Sequence, residues 1–148
     1  MASRYDLSHV FGIKGRNFSK AGSVSIDIKE ILRELGIDPV IIRRAAIAAY
    51  EAEMNVVMYA DKGEMVLRLN PKVIRITLED EGPGIEDIEM AMQEGYSTAT
   101  EEIREMGFGA GMGLPNIKKN ADVFELKSTV GKGTSCNIVI YLNTAGET

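Results

Sequence analysis

Four glycines at every second position, Gly107, Gly109, Gly111 and Gly113 in MGFGAGMGLPNI, restrict this chain more than any other stretch. Glycine loses more backbone freedom on ordering than any other residue and brings no side chain to a core. Such a run belongs to a loop with a task. The residues after it read as a helix, with Pro115 in the first turn, where a missing N–H does no harm. Bare N–H groups there can hold an anion, because a helix start gathers unpaired donors and partial positive charge. The other reading is a hinge, or a tight crossing of two elements.

Two common phosphate loops do not fit. The dinucleotide fingerprint GxGxxG needs glycine where Met112 or Leu114 stands, and the run follows the charged EEIREM rather than a strand. A P-loop needs GxxxxGK and then Ser or Thr. Around Gly131-Lys132 the first position is Leu126 and the last is Gly133.

Length and composition narrow the class. With 148 residues, 45% hydrophobic and 26% charged, a single globular domain over 1–148 is expected. A net charge of −5 argues against a nucleic-acid binder that neutralises phosphates, and the pairs Arg43-Arg44 and Lys118-Lys119 are too short to reverse it. No apolar run approaches the roughly 20 residues that span a bilayer. The opening MASRYDLSHVF lacks the pattern of a secretory signal. A cytoplasmic protein with no membrane partner is expected. The single cysteine, Cys136, lies in an apolar alternating run and reads as a buried thiol.

Along the chain, 5–14 reads as a strand, and the apolar spacing of Val24, Ile26, Ile28, Ile31, Leu32 and Leu35 as a helix ended by Gly36. A long helix runs from Pro39 to about Tyr59. EMVLRL and KVIRITLED form strands around Asn70-Pro71, Ile85 to Tyr96 an amphipathic helix, and FELKST with SCNIVIYL a closing hairpin. The fold class expected is α+β: a two-layer α/β sandwich with helices on one face of a mixed, mostly antiparallel sheet.

Three further features carry chemistry. In IAAYEAEMNVVMY, the residues Ile47, Tyr50, Met54, Val57 and Met58 read as an apolar stripe. Glu51 and Asn55 stand one turn apart beside it, about 40° from each other around the axis. Polar groups on so apolar a helix cost free energy unless paired or used. An amide oxygen suits Mg²⁺, and a carboxylate one turn away suits proton acceptance from a hydroxyl. Glu53 points to the opposite side and is expected in solvent. Asp80-Glu81-Gly82-Pro83-Gly84 ends a strand with a carboxylate that can accept an exocyclic N–H, and with glycines that let backbone approach a ring. Thr134 follows a Gly-Lys-Gly turn at the start of the last strand. An acidic turn and an ordinary strand start are the plainer readings of these last two.

In order, E-x-x-x-N on a helix, D-x-G-x-G after a strand, a glycine-rich loop before a helix and G-x-G-T on a terminal hairpin resemble the Bergerat ATP-binding fold of the GHKL superfamily. That superfamily includes gyrase, the Hsp90 chaperones, sensor histidine kinases and the MutL repair proteins. The resemblance covers about 40–142 and implies ATP and Mg²⁺ as cofactors. It implies Glu51 as general base, Asn55 as metal ligand, and Asp80, Gly82, Gly84, Ile85 and Thr134 around adenine. It also implies Gly107, Gly109, Gly111, Met112, Gly113 and Leu114 around the phosphates, with about 85–113 as an ATP lid.

Within the superfamily the chain ends too soon after its last strand for a transducer domain, so gyrase-, Hsp90- or MutL-type action is not expected. The only histidine, His9, lies in the first strand, which argues against an autophosphorylating histidine kinase. The phrases YEAEMNVVMYA, DEGPGIEDIEMAMQEGYST and GAGMGLPNIKK are similar to the bacterial anti-sigma serine/threonine kinases, above all the general-stress switch kinases. The resemblance implies phosphorylation of a Ser or Thr on a STAS-domain antagonist, with a sigma factor or a downstream phosphatase as further partner. TATEEIREMGF before GAGMGL makes the lid longer than the family pattern, which moves the expected phosphate contacts toward Gly111 and Gly113. The alternatives are an anti-sigma factor that sequesters its sigma factor in a nucleotide-dependent way, or an accessory ATP-binding sensor. Apolar residues of the first two helices fit either a core or a homodimer face, and Arg44 has no assigned role.

Overall fold

The computed structural model describes residues 7–93 and 113–142. Strands β1 (Leu7–Lys14), β2 (Lys62–Leu69), β3 (Val73–Glu81), β4 (Val123–Thr129) and β5 (Gly133–Tyr141) form one sheet in the order β1-β2-β3-β5-β4. All four strand pairings are antiparallel, so the mostly antiparallel sheet expected is wholly so among the described residues. Hairpins join β2 to β3 and β4 to β5, and the helical segment between β1 and β2 returns the chain antiparallel, whereas β4 runs parallel to β3 with β5 between them.

The helices are α1 (Ser23–Glu34), α2 (Pro39–Tyr59), the single turn α3 (Ile88–Ala91) and α4 (Gly113–Asn120). Helix α2 lies across the sheet, packed on β1, β2, β3 and β5, with α1 and α4 against its flanks. The strand alternation decides which face it covers. Met65, Leu67 and Leu69 of β2 pair with Leu78, Ile76 and Ile74 of β3, and all six are buried. Ile138 and Ile140 of β5 continue the layer. The residues between them, such as Arg75 and Asn137, face outward and bond to each other at 3.0 Å. His9 lies on the exposed edge strand β1, stacked on Phe11.

Local signals set the helix bounds. Asp38 accepts the Val40 N–H at 2.8 Å and Pro39 occupies the first turn of α2. Gly36 closes α1 with φ of +72°. Within α1 the buried side is Val24, Ile28 and Leu32, whereas Ile26 and Leu35 are exposed. In α2 the buried surface is broader than the expected stripe. It runs through Ile41, Ala45, Ala48, Ala49, Ala52 and Val56, and Tyr50 is exposed. Small alanines let α1, α4 and the sheet all approach one helix.

Two expectations are corrected here. Glu53 is 1% exposed rather than solvated. It is the side of α2 opposite Glu51 that meets α1, and the Glu53 carboxylate accepts the N–H groups of Gly22, Val24 and Ser25 at the start of that helix. The helix expected over 85–96 begins later, at Ile88, and Ala91 is its last residue. Asp87 is extended, at φ −131° and ψ 98°, and caps Met90, so the helix starts only after it.

Candidate active site

Helices α2 and α4 run antiparallel, and three contacts fix their register. Arg44 Nε donates to the Asn120 carbonyl at 3.0 Å near the start of α2. Two turns on, Asn116 Nδ2 donates to Glu51 Oε2 at 2.8 Å. At the start of α4, a Cβ built on Gly113 would stand 3.6 Å from Asn55 Oδ1 and 3.8 Å from Glu51 Oε1. The two polar residues of α2 and the last glycine of the run therefore meet. Leu114 comes next, half-buried on the core. Gly107, Gly109, Gly111 and Met112 lie outside the described residues.

Glu51 also faces an open groove of about 520 Å³ between the helices, lined by Ser25, Lys29, Tyr50, Asn116 and Asn120. Burial, with the charges of Glu51 and Glu53, holds the Tyr50 hydroxyl above its ordinary value of 10.0. It remains a neutral hydroxyl at physiological pH.

The second cluster forms where β3 meets the β4–β5 hairpin. Asp80 Oδ1 accepts the Thr134 N–H at 3.0 Å. Burial raises the Asp80 carboxyl above its ordinary value of 3.8, and the Thr134 N–H pulls it back. Ser128 Oγ ties two expected positions, Ile85 and Thr134, to the hairpin at Gly133. It accepts from the Ile85 N–H, donates to the Gly133 carbonyl at 3.1 Å and lies 2.9 Å from Thr134 Oγ1.

The glycines here answer to packing as well as access. Gly84 has φ of +76°, and a Cβ on it would stand 2.5 Å from the Thr129 carbonyl oxygen. A Cβ on Gly82 would stand 3.0 Å from Ala60, and one on Gly133 would collide with the Asp80 carbonyl. Their missing side chains meet protein backbone, and that close approach presses the Asp80 strand end onto Thr134.

Sequence reasoning passed over Asn116, Ser128, Glu53 and the use of Arg44. Arg44 also bonds Asp122 Oδ1 at 3.2 Å, so it anchors the end of α4. The contacts of Asn116, Ser128 and Arg44 join residues far apart in sequence or on different elements, where spacing carries no signal.

Residues 41–145 match the family model for histidine kinase-, DNA gyrase B- and HSP90-like ATPases. The chain belongs to that family. It is 36% identical to the serine/threonine-protein kinase RsbT of Bacillus subtilis (strain 168) over 77% of this chain and 83% of the relative. It is also 36% identical to the anti-sigma F factor of Caldanaerobacter subterraneus subsp. tengcongensis, over 72% of this chain and 76% of that protein. Among solved structures, the SiaB–SiaC complex from Pseudomonas aeruginosa contains a chain of similar fold. Its TM-score is 0.56 at 16% identity, covering 93% of this chain and 91% of that one.

The residues present fit what an ATPase of this family holds. Glu51 and Asn55 supply hard oxygens beside a glycine helix start, and Asp80 supplies an acceptor braced by Thr134. No helix among the described residues is long and apolar enough to cross a membrane.

Proposed function

We propose that this chain, an ATP-dependent serine/threonine protein kinase, phosphorylates a STAS-domain antagonist in a cytoplasmic partner-switching pathway that controls a sigma factor. The observation that carries the reading is the convergence of Glu51, Asn55 and Gly113, with Glu51 also lining an open groove. Catalysis needs a base on the acceptor side and anion-binding backbone on the donor side, and these three residues stand at that boundary.

Asp80, with Thr134 behind it, takes the adenine amino group, and Gly82, Gly84 and Ile85 border the ring. The start of α4 at Gly113 and Leu114, continued by Gly107, Gly109, Gly111 and Met112, holds phosphates. Asn55 is the ligand for Mg²⁺, which neutralises phosphate charge when bound. The lid assigned to about 85–113 falls largely on 94–112, outside the described residues, and 1–148 act as one domain. Glu51 accepts the proton of the incoming hydroxyl as the hydroxyl oxygen bonds to the γ-phosphorus, while the bond from that phosphorus to the β–γ bridging oxygen breaks and the bridging oxygen leaves with ADP. Such transfer depends on positioning and charge neutralisation more than on covalent help.

The test is capture of partners from native lysate on this chain with Mg-ATP and with ADP, followed by mass spectrometry. A STAS-domain protein newly phosphorylated on Ser or Thr is expected, and it should be absent with Glu51→Ala bait. Glu51→Ala should still bind nucleotide, whereas Asn55→Ala should lose Mg²⁺-dependent binding. A sigma factor held with no phosphate on any partner would replace the kinase reading with sequestration.

A further inference from the structure

We propose that Asn116 is a positioning residue for Glu51, a neutral amide that orients the catalytic carboxylate without forming an ion pair with it. The inference rests on Glu51 being the base.

The two residues are 65 positions apart, and their bond is 2.8 Å from Asn116 Nδ2 to Glu51 Oε2. That bond fixes a long, flexible side chain and occupies one carboxylate oxygen. The other, Oε1, is left toward Gly113, where donor phosphates are expected. A lysine or arginine at 116 would also hold the carboxylate, but would offset its charge and make it a poorer acceptor of a proton. An amide donates without neutralising.

Asn116 is itself held. Its backbone carbonyl accepts from Asn120 Nδ2 at 2.8 Å, and the Asn120 backbone carbonyl accepts from Arg44 Nε at 3.0 Å. Arg44 and Glu51 both belong to α2, so the bonds close a circuit between two helices. Neither sliding nor rotation of α4 is possible without breaking one of them. The groove that reaches Glu51 is lined by Asn116 and Asn120 as well. A small misplacement of a reacting group can cost on the order of 100-fold in rate.

The test measures single-turnover phosphate release from Mg-ATP, with water as acceptor, in the full chain and in Asn116→Asp, Asn116→Gln and Glu51→Gln. Asn116→Asp preserves size but presents oxygen where a donor is needed. It should lower the single-turnover rate constant roughly 10- to 100-fold while the half-saturating Mg-ATP concentration stays within about twofold. Asn116→Gln, which restores a donor, should recover much of the loss. In NMR spectra of the nucleotide-free protein, the Asn116 side-chain amide resonances should move on Glu51→Gln. Parent-like turnover in Asn116→Asp beside an inactive Glu51→Gln would overturn the positioning role and leave the base intact. Unmoved amide resonances, or loss of rate in step with thermal stability and without rescue by glutamine, would overturn it too. Parent-like turnover in Glu51→Gln would remove the base itself, and with it any role for Asn116 in placing one.

Discussion

Glu53 Oε1 accepts the backbone N–H of Ser25 at 3.1 Å, so a carboxylate from the middle of α2 caps the first turn of α1. Its second oxygen takes the N–H groups of Gly22 and Val24 at 3.0 and 3.2 Å. Three donors that α1 could not satisfy internally are satisfied by a residue about 30 positions away.

Removing that cap should be expensive. Glu53→Ala strands buried donors and should cost about 3 kcal/mol or more, and Glu53→Gln, which keeps one acceptor, about 1–2 kcal/mol. Burial raises the folded Glu53 carboxyl above its ordinary 4.5, outweighing the three N–H bonds that lower it. A raised carboxyl contributes stability that is fully present below 4.5 and is lost as pH rises through the folded value. Urea unfolding of parent and Glu53→Gln from about pH 4 to 7 should therefore show the parent's advantage shrinking as pH increases. A constant difference would contradict the shift.

Gly133 and Gly131 sit two residues apart with opposite tolerances. Alanine at 133 collides with the Asp80 carbonyl and should break the Thr134–Asp80 contact, weakening ATP binding tenfold or more. Alanine at 131 meets nothing within 4 Å and suffers only from its φ of +81°. It should cost about 1 kcal/mol of stability and leave ATP affinity unchanged. Calorimetric titration beside thermal unfolding separates the two, and equal loss of affinity in both would refute the distinction.

Cys136 is half-buried rather than the fully buried thiol expected, and loss of solvent around its sulfur together with the nearby charge of Asp80 pushes the thiol up to about 12. Thiolate is the reactive form, so the folded protein should resist alkylation at about pH 8. Labelling with an aromatic disulfide reagent should track unfolding, slow in buffer and complete in urea. Stoichiometric reaction within seconds in buffer would show the thiol to be open.

How much is legible in the sequence depends on where the causes lie. The bounds of α2 were legible because Asp38-Pro39 acts locally, and Glu51 with Asn55 because four-residue spacing places them on one side. The wheel also put Glu53 on the far side, correctly, but direction does not say what waits there. The alanines of α2 let neighbours press close on several sides, so the far side is interior. The amphipathic pattern over 85–96 overran the start of α3 because Asp87 is the extended cap and the chain before it is tied to Ser128, 43 residues from Ile85. Asn116 was invisible for the same reason. Its partner is chosen by how α4 lies on α2.

Arg44 is where that packing can be tested. Its guanidinium holds the Asn120 carbonyl through Nε and Asp122 through Nη2, and Asp122 in turn accepts the Tyr141 N–H at 2.7 Å. One planar group thus joins the start of α2, the end of α4 and the last strand. A lysine carries the charge but cannot present two donors in that fork. The pair is about 30% exposed, so screening limits its worth to about 1 kcal/mol. Arg44→Lys should lower Tm by about 3 °C and Arg44→Met by somewhat more. In a double-mutant cycle with Asp122→Ala, the coupling should be about 0.5–1 kcal/mol. Additive losses in that cycle would mean that the ion pair contributes nothing, and that the carbonyl contact alone ties α4 to α2.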